Sequence, residues 1–207
     1  MHALMMNTPL MISSILKHAE KNFPEVEMVS VTVDHPRHRQ NNRIFARRCR
    51  QLANVLESLG AAFGDRIGTL AWNDFRHMEL YYAVSGSGMV CHTINPKLFP
   101  EQVAYIINHA EDKILFVDVL VLPLLEALSE HLAKVEIIVV LTEKTHMPES
   151  NLPNLLCYEE LLEAQSDVYE WPEFDENTAS GMCYTSGTTG NPKGVVYSHR
   201  STVLHAL

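Results

Sequence analysis

The chain has 207 residues, 46% of them hydrophobic and 20% charged, which is enough apolar mass for one substantial core. Asp and Glu number 25 against 16 Lys and Arg, a formal charge of −9 that makes nucleic acid or an anionic membrane a poor electrostatic partner. The apolar run Ile137 to Leu141 is far too short to cross a bilayer.

Met1 to Leu16 is mildly apolar but lacks a basic lead and a small-residue cleavage site, which reads as mature, cytoplasmic protein. Leu10 to Asn22 reads as a helix stopped by Pro24, and Met28 to Val33 as a strand. Six arginines follow: Arg37, Arg39, Arg43, Arg47, Arg48 and Arg50. They open the helix Ile44 to Leu59 and read as its solvated face, with Gly60 ending it. Gly64 and Asp65 turn into a strand, Arg66 to Ala71, and Asp74 caps a helix to about Val84. Next come a strand at Val90 to Ile94, a helix opened by Pro100 to about Ala110, and a strand at Lys113 to Val117. A helix at Leu120 to Leu132 and a strand at Glu136 to Leu141 complete the alternation. This order predicts an α/β fold with a mostly parallel sheet flanked by helices.

Residues 142–178 carry Pro148, Pro153 and Pro172, several acids and one short helix near Tyr158 to Ala164, and read as a surface connection. A strand, Gly181 to Tyr184, then enters the segment Thr185 to Gly194; a second strand, Val195 to Tyr197, leaves it. The final helix, starting near Ser201, stops at Leu207 without a cap, which reads as a chain cut inside an element.

Thr185 to Gly194 carries the chemistry. Three glycines permit positive φ, so successive backbone N–H groups can converge on an anion. Thr185, Ser186, Thr188 and Thr189 add hydroxyls, and Lys193 adds a mobile positive charge. No acid opposes them, and strand ends are where α/β proteins bind ligands. Other phosphate patterns fail. A P-loop started at Gly187 meets Pro192 where glycine is required, and Gly86 and Gly88 lead only to Cys91. Composition alone leaves an unspecialised Gly/Ser/Thr loop open as the alternative.

The other candidates have bland readings. Cys49, Cys91, Cys157 and Cys183 show no CxxC spacing and read as free thiols in a reducing compartment. His35 and His38 lack a third metal ligand, His92 and His109 read as structural polar groups, and Glu159 and Glu160 as a solvated face.

The ordered string YTSGTTGNPKGVVYSHR, Tyr184 to Arg200, resembles the signature of the adenylate-forming superfamily of acyl-CoA synthetases, luciferases and peptide-synthetase adenylation domains. Upstream, NDFRHMELYY (73–82), CHTINP (91–96) and QVAYIINHAED (102–112) look like its medium- and long-chain fatty acyl-CoA synthetase branch. Residues 39–46, RQNNRIFA, depart from the Thr-Tyr pair usual there. The resemblance implies that residues 1–207 are a partial adenylation domain, ending after its phosphate-binding loop. Thr185, Ser186, Gly187, Thr188, Thr189, Gly190 and Lys193 would bind the β- and γ-phosphates of ATP, with Thr185 a ligand of Mg²⁺. It further implies that a carboxylic acid is activated to acyl-adenylate and passed to CoA, and that a homodimer is among the states to expect. The acyl pocket, adenine-binding segment and catalytic lysine of such enzymes have no counterpart in the chain. Three readings stay open: a fatty acyl-CoA synthetase portion; a relative acting on a short sulfur-containing or aryl acid; and a non-catalytic, degenerate fragment.

Overall fold

In the computed structural model, which describes residues 1, 5–132, 134–185 and 191–207, short apolar strands alternate with helices that carry the chain back across one sheet. The chain opens with α1 (Ile12–Asn22), β1 (Glu27–Ser30), β2 (His38–Asn41) and α2 (Asn42–Ser58). Then follow β3 (Arg66–Leu70), α3 (Phe75–Gly86), β4 (Val90–Thr93), α4 (Pro100–Ala110), β5 (Ile114–Val117), α5 (Leu122–Leu128) and β6 (Ile137–Val140). The last elements are β7 (Leu155–Cys157), α6 (Tyr158–Glu163), β8 (Ala179–Thr185), β9 (Lys193–Ser198) and α7 (His199–Ala206).

The main sheet runs β7-β6-β5-β3-β4-β8-β9 and is parallel throughout except for β9, which returns antiparallel along β8. The α/β, mostly parallel architecture expected from the sequence is therefore what forms. Strands in such a sheet are buried on both faces, and β5 shows it: Ile114, Leu115, Phe116 and Val117 are all fully buried. One face packs on α2, α3 and α6 through residues such as Leu56, Leu80 and Tyr158. The other packs on α4 and α5 through Val103, Ile107 and Leu125.

Several boundaries differ from expectation for local reasons. Asn41 Oδ1 accepts the Ile44 N–H at 3.0 Å, so α2 starts at Asn42. The first strand stops at Ser30 because Thr32 turns, its hydroxyl reaching Asp34 at 2.6 Å and its N–H the His35 carbonyl at 2.9 Å. Strand β2, for which the sequence reading had no element, pairs with β1 in a small antiparallel ribbon. The helix expected over 120–132 keeps only α5 as α-helix, with Pro123 in its first turn and 3₁₀ turns on either side. Within the 142–178 connection, β7 adds an edge strand parallel to β6.

Two surface readings are corrected. Arg48 and Glu159 are not solvated faces. Their side chains are each 16% exposed, and Arg48 donates to both Glu159 oxygens at 3.0 and 3.1 Å. Arg48 also forks the fully buried Glu79 at 2.7 and 3.1 Å, and the Tyr158 hydroxyl donates to Glu79 at 2.7 Å. This network pins α6 to α2 and α3.

Candidate functional site

Strand β3 feeds α3 on one face of the sheet, whereas its neighbour β4 feeds α4 on the other. Loops that leave adjacent strands toward opposite faces open a crevice at the strand C-termini, the usual ligand position of open α/β sheets. A crevice of about 480 Å³ lies there, lined by Trp72, Asn73, Asn95, Lys97, Cys183 and Tyr184 among others. Asn95 Oδ1 accepts the Lys97 N–H at 2.9 Å, and Lys97 Nζ stands 5.6 Å from the centroid of the Trp72 ring. His77, in the crevice wall, donates from Nδ1 to the Trp72 carbonyl at 3.1 Å and accepts the Thr69 hydroxyl at Nε2, 2.9 Å away. Burial lowers the His77 pKa, which keeps the ring neutral in that tautomer.

The glycine-rich segment leaves the sheet beside this crevice. Thr185 closes β8 and Lys193 opens β9, directly opposite each other in the antiparallel register. Both are exposed, and the Thr185 hydroxyl reaches the Lys193 carbonyl at 3.5 Å. Lys193, expected within the loop, is the first residue of the returning strand. Ser186, Gly187, Thr188, Thr189 and Gly190 lie outside the described residues. Gly194 sits against the Tyr184 ring, where a Cβ would meet Cζ at 3.2 Å. Neither Lys97 nor Lys193 pairs with a carboxylate among the described residues. Among the described residues the crevice lining thus carries one available cation, Lys97, and the strand that supplies its Cys183 and Tyr184 runs on into the exposed Thr185 opposite the exposed Lys193. Trp72 and Lys97 were given no site role by the sequence; the available signal was the position of Asn95, Pro96 and Lys97 just after a strand.

A second cavity, of about 450 Å³, adjoins the first through Tyr81, Thr93 and Cys183. Its lining, including Met78, Tyr82, Met182 and Ile15, is mainly apolar. The remaining candidates stay structural. His35 binds Glu143 at 2.7 Å, and His38 stacks on Phe75 with centroids 3.6 Å apart. The one three-group cluster with metal-ligand spacing among the described residues is Asp34, Glu143 and His146, and Asp34 is engaged by Arg76. Cys49, Cys91 and Cys157 are buried and Cys183 half-buried, all as free thiols. Burial pushes the Cys91 thiol up to about 12.

With that geometry in view, the likenesses to known proteins are specific. The AMP-binding enzyme family matches residues 16–207. The sequence is 52% identical to the 3-methylmercaptopropionyl-CoA ligase of Ruegeria lacuscaerulensis, over 98% of this chain and 38% of that protein. It is 48% identical to the medium-chain-fatty-acid–CoA ligase of Ectopseudomonas oleovorans, over 98% of this chain and 37% of that one. In three dimensions it resembles the crystal structure of an anthranilate CoA ligase in complex with anthranoyl-AMP. The TM-score is 0.80 at 26% identity, covering 97% of this chain and 37% of that chain. The chain therefore spans well under half the length of the relatives it matches.

Proposed function

The chain belongs to the AMP-binding enzyme family, and from that premise we propose that it forms the triphosphate-holding portion of an ATP-dependent acyl-CoA ligase. The observation that carries the reading is the register of β8 and β9, which sets Thr185 opposite Lys193 one residue beyond Tyr184, a lining residue of the switch-point crevice. In the reaction, a carboxylate attacks the α-phosphorus of ATP, giving acyl-adenylate and pyrophosphate; the CoA thiol then displaces AMP. The Lys193 ammonium, the Thr185 hydroxyl and the donors of residues 186–190 hold the β- and γ-phosphates as charge accumulates on the departing pyrophosphate. Lys97, over Trp72 in the crevice lining, adds positive potential at the strand C-termini.

Magnesium fits this arrangement. Mg²⁺ needs few protein ligands, and the exposed Thr185 hydroxyl would supply one oxygen to it. Bound there, the ion would neutralise charge on the triphosphate. The substrate class we favour is a fatty acid, after the medium-chain relative; the 52% identical ligase of a short sulfur-containing acid supports the second reading. Both use the same phosphate site. Four free thiols favour a reducing, cytoplasmic setting, and the exposed apolar residues of β9 favour self-association, including a homodimer.

Calorimetric titration of the chain with magnesium ATP and magnesium pyrophosphate tests the phosphate site. Binding that disappears in Lys193→Ala supports it; no heat with either ligand would mean a non-catalytic fragment without nucleotide affinity.

A further inference from the structure

Asp112 and His92 are both fully buried, and His92 Nδ1 lies 2.9 and 2.8 Å from the two carboxylate oxygens. The fold makes room for this pair. Gly68 on β3 is opposite His92 on β4, and a Cβ at Gly68 would overlap Leu115 Cδ2 and come within 2.9 Å of Asp112 Oδ2. Burial pushes the Asp112 pKa up while the His92 hydrogen bond pulls it down. Buried acid–base pairs add little net stability because desolvation offsets the attraction. What this one touches is therefore the informative point.

It touches the base of the phosphate-binding segment. The His92 ring lies 5.3 Å, centroid to centroid, from the ring of Tyr184. The Tyr184 hydroxyl shares a 2.6 Å hydrogen bond with Nδ1 of His109, in the last turn of α4. His109 is itself backed by Tyr105, stacked at 5.3 Å. On its other side Tyr184 lies against Gly194, its partner across the ribbon, and the next pair out is Thr185 with Lys193. One side chain thus meets both arms of the hairpin just before they part.

We infer that Tyr184 is a positioning residue for the phosphate-binding segment, braced by the Asp112–His92 pair and tethered by His109, so that the end of α4 sets the direction in which Thr185 and Lys193 leave the sheet. The ligand side of this inference rests on the phosphate-binding reading above; the brace itself does not.

The test uses the whole chain with Tyr184→Phe, His109→Ala and His109→Gln. His109 is exposed, so its replacement spares the core, and glutamine keeps an acceptor for the phenol. Amide exchange is read by NMR at residues 184, 185, 193 and 194 against 181 and 197, alongside thermal unfolding. Loss of one hydrogen bond should speed exchange at the loop end about fivefold relative to the far end, with His109→Gln restoring it and the melting temperature nearly unchanged. Equal exchange in all variants overturns the brace. Magnesium pyrophosphate binding should weaken in His109→Ala by a similar factor and recover in His109→Gln. Unchanged affinity beside a loosened stem would overturn the positioning role. If the unaltered chain binds no pyrophosphate, the phosphate-binding reading falls, and the exchange data alone decide the brace.

Discussion

Arg76 donates from both terminal nitrogens to the carboxylate of Asp34, at 2.9 and 2.8 Å, across 42 positions of sequence. Its Nε donates to Glu159 at 2.7 Å, and the Glu143 N–H completes Asp34 at 3.1 Å. One buried guanidinium thereby joins the turn after β1, the start of α3 and the helix α6. Burial opposes ionisation of Asp34, but Arg76, Thr32 and Glu143 together hold its carboxyl well below the usual carboxylate range. Asp34→Ala leaves Arg76 without one of its two buried partners, and breaking such a pair typically costs about 3–5 kcal/mol. Urea unfolding should show a loss of that order. Because the folded-state pKa is depressed, the contribution is present above the unfolded value near 4 and fades as the pH falls below it. A loss under 1 kcal/mol would show that the network is solvated.

His199 gives a second pH dependence. It is fully buried at the start of α7 and accepts the Ile12 N–H at Nδ1, 3.2 Å away, so α1 docks on a neutral imidazole. Burial pushes its pKa down from 6.5 to about 4. The unfolded chain therefore binds one more proton between those values, and stability rises with pH across the window by about 3 kcal/mol. Buried acids with raised values, Glu79 and Asp112, act in the opposite sense on acidification. The comparison with His199→Gln isolates the histidine: unfolding free energies of the two chains should diverge from pH 6.5 to pH 4. Parallel pH profiles would refute the assignment.

Among the described residues strand β9 is the last in the sheet, and it leaves Val195, Val196 and Tyr197 at 37%, 57% and 48% exposure. An unpaired edge with apolar side chains invites pairing with another chain, and the adjoining apolar cavity offers a seat for a hydrophobic dye. The chain should bind such a dye and scatter light increasingly with concentration. Val196→Lys should reduce association while leaving the melting temperature within about 1 °C, since edge charges block pairing without touching the core. A dye-negative monomer at high concentration would contradict this.

What the sequence made legible follows from how local the signals were. The parallel sheet was readable because β5 and β6 are continuous apolar runs, and the start of α3 because Asp74 Oδ1 accepts the His77 N–H at 2.9 Å within one turn. Strand β2 was hidden because His38 to Asn41 has no apolar alternation and is a strand only through its pairing with β1. Arg48 and Glu159 are 111 positions apart, so no spacing rule joins them. The segment carrying Thr185 and Lys193 stood out by composition. The crevice beside it did not, because Trp72 and Lys97 meet only once β3 and β4 are neighbours whose helices depart to opposite faces.

Lys193 is the side chain on which the phosphate reading turns. Its ammonium is exposed, unpaired among the described residues and opposite Thr185. A charge-assisted contact to a phosphate is worth about 1.5–3 kcal/mol, so Lys193→Ala should weaken pyrophosphate binding roughly ten- to a hundred-and-fifty-fold. Thr185→Val removes one neutral hydroxyl and should cost about fivefold; Thr188→Ala, with backbone donors retained, less than Lys193→Ala. Lys193→Arg keeps the charge and should retain most affinity, though a forked guanidinium does not reproduce a point charge. Salt separates charge from shape. Raising ionic strength from about 0.01 to 0.15 M shortens the screening length from roughly 30 to 8 Å, so affinity of the unaltered chain should fall, and that of Lys193→Ala fall less steeply. Equal salt slopes for the two would place the phosphate away from Lys193 and return the segment to an unspecialised hairpin.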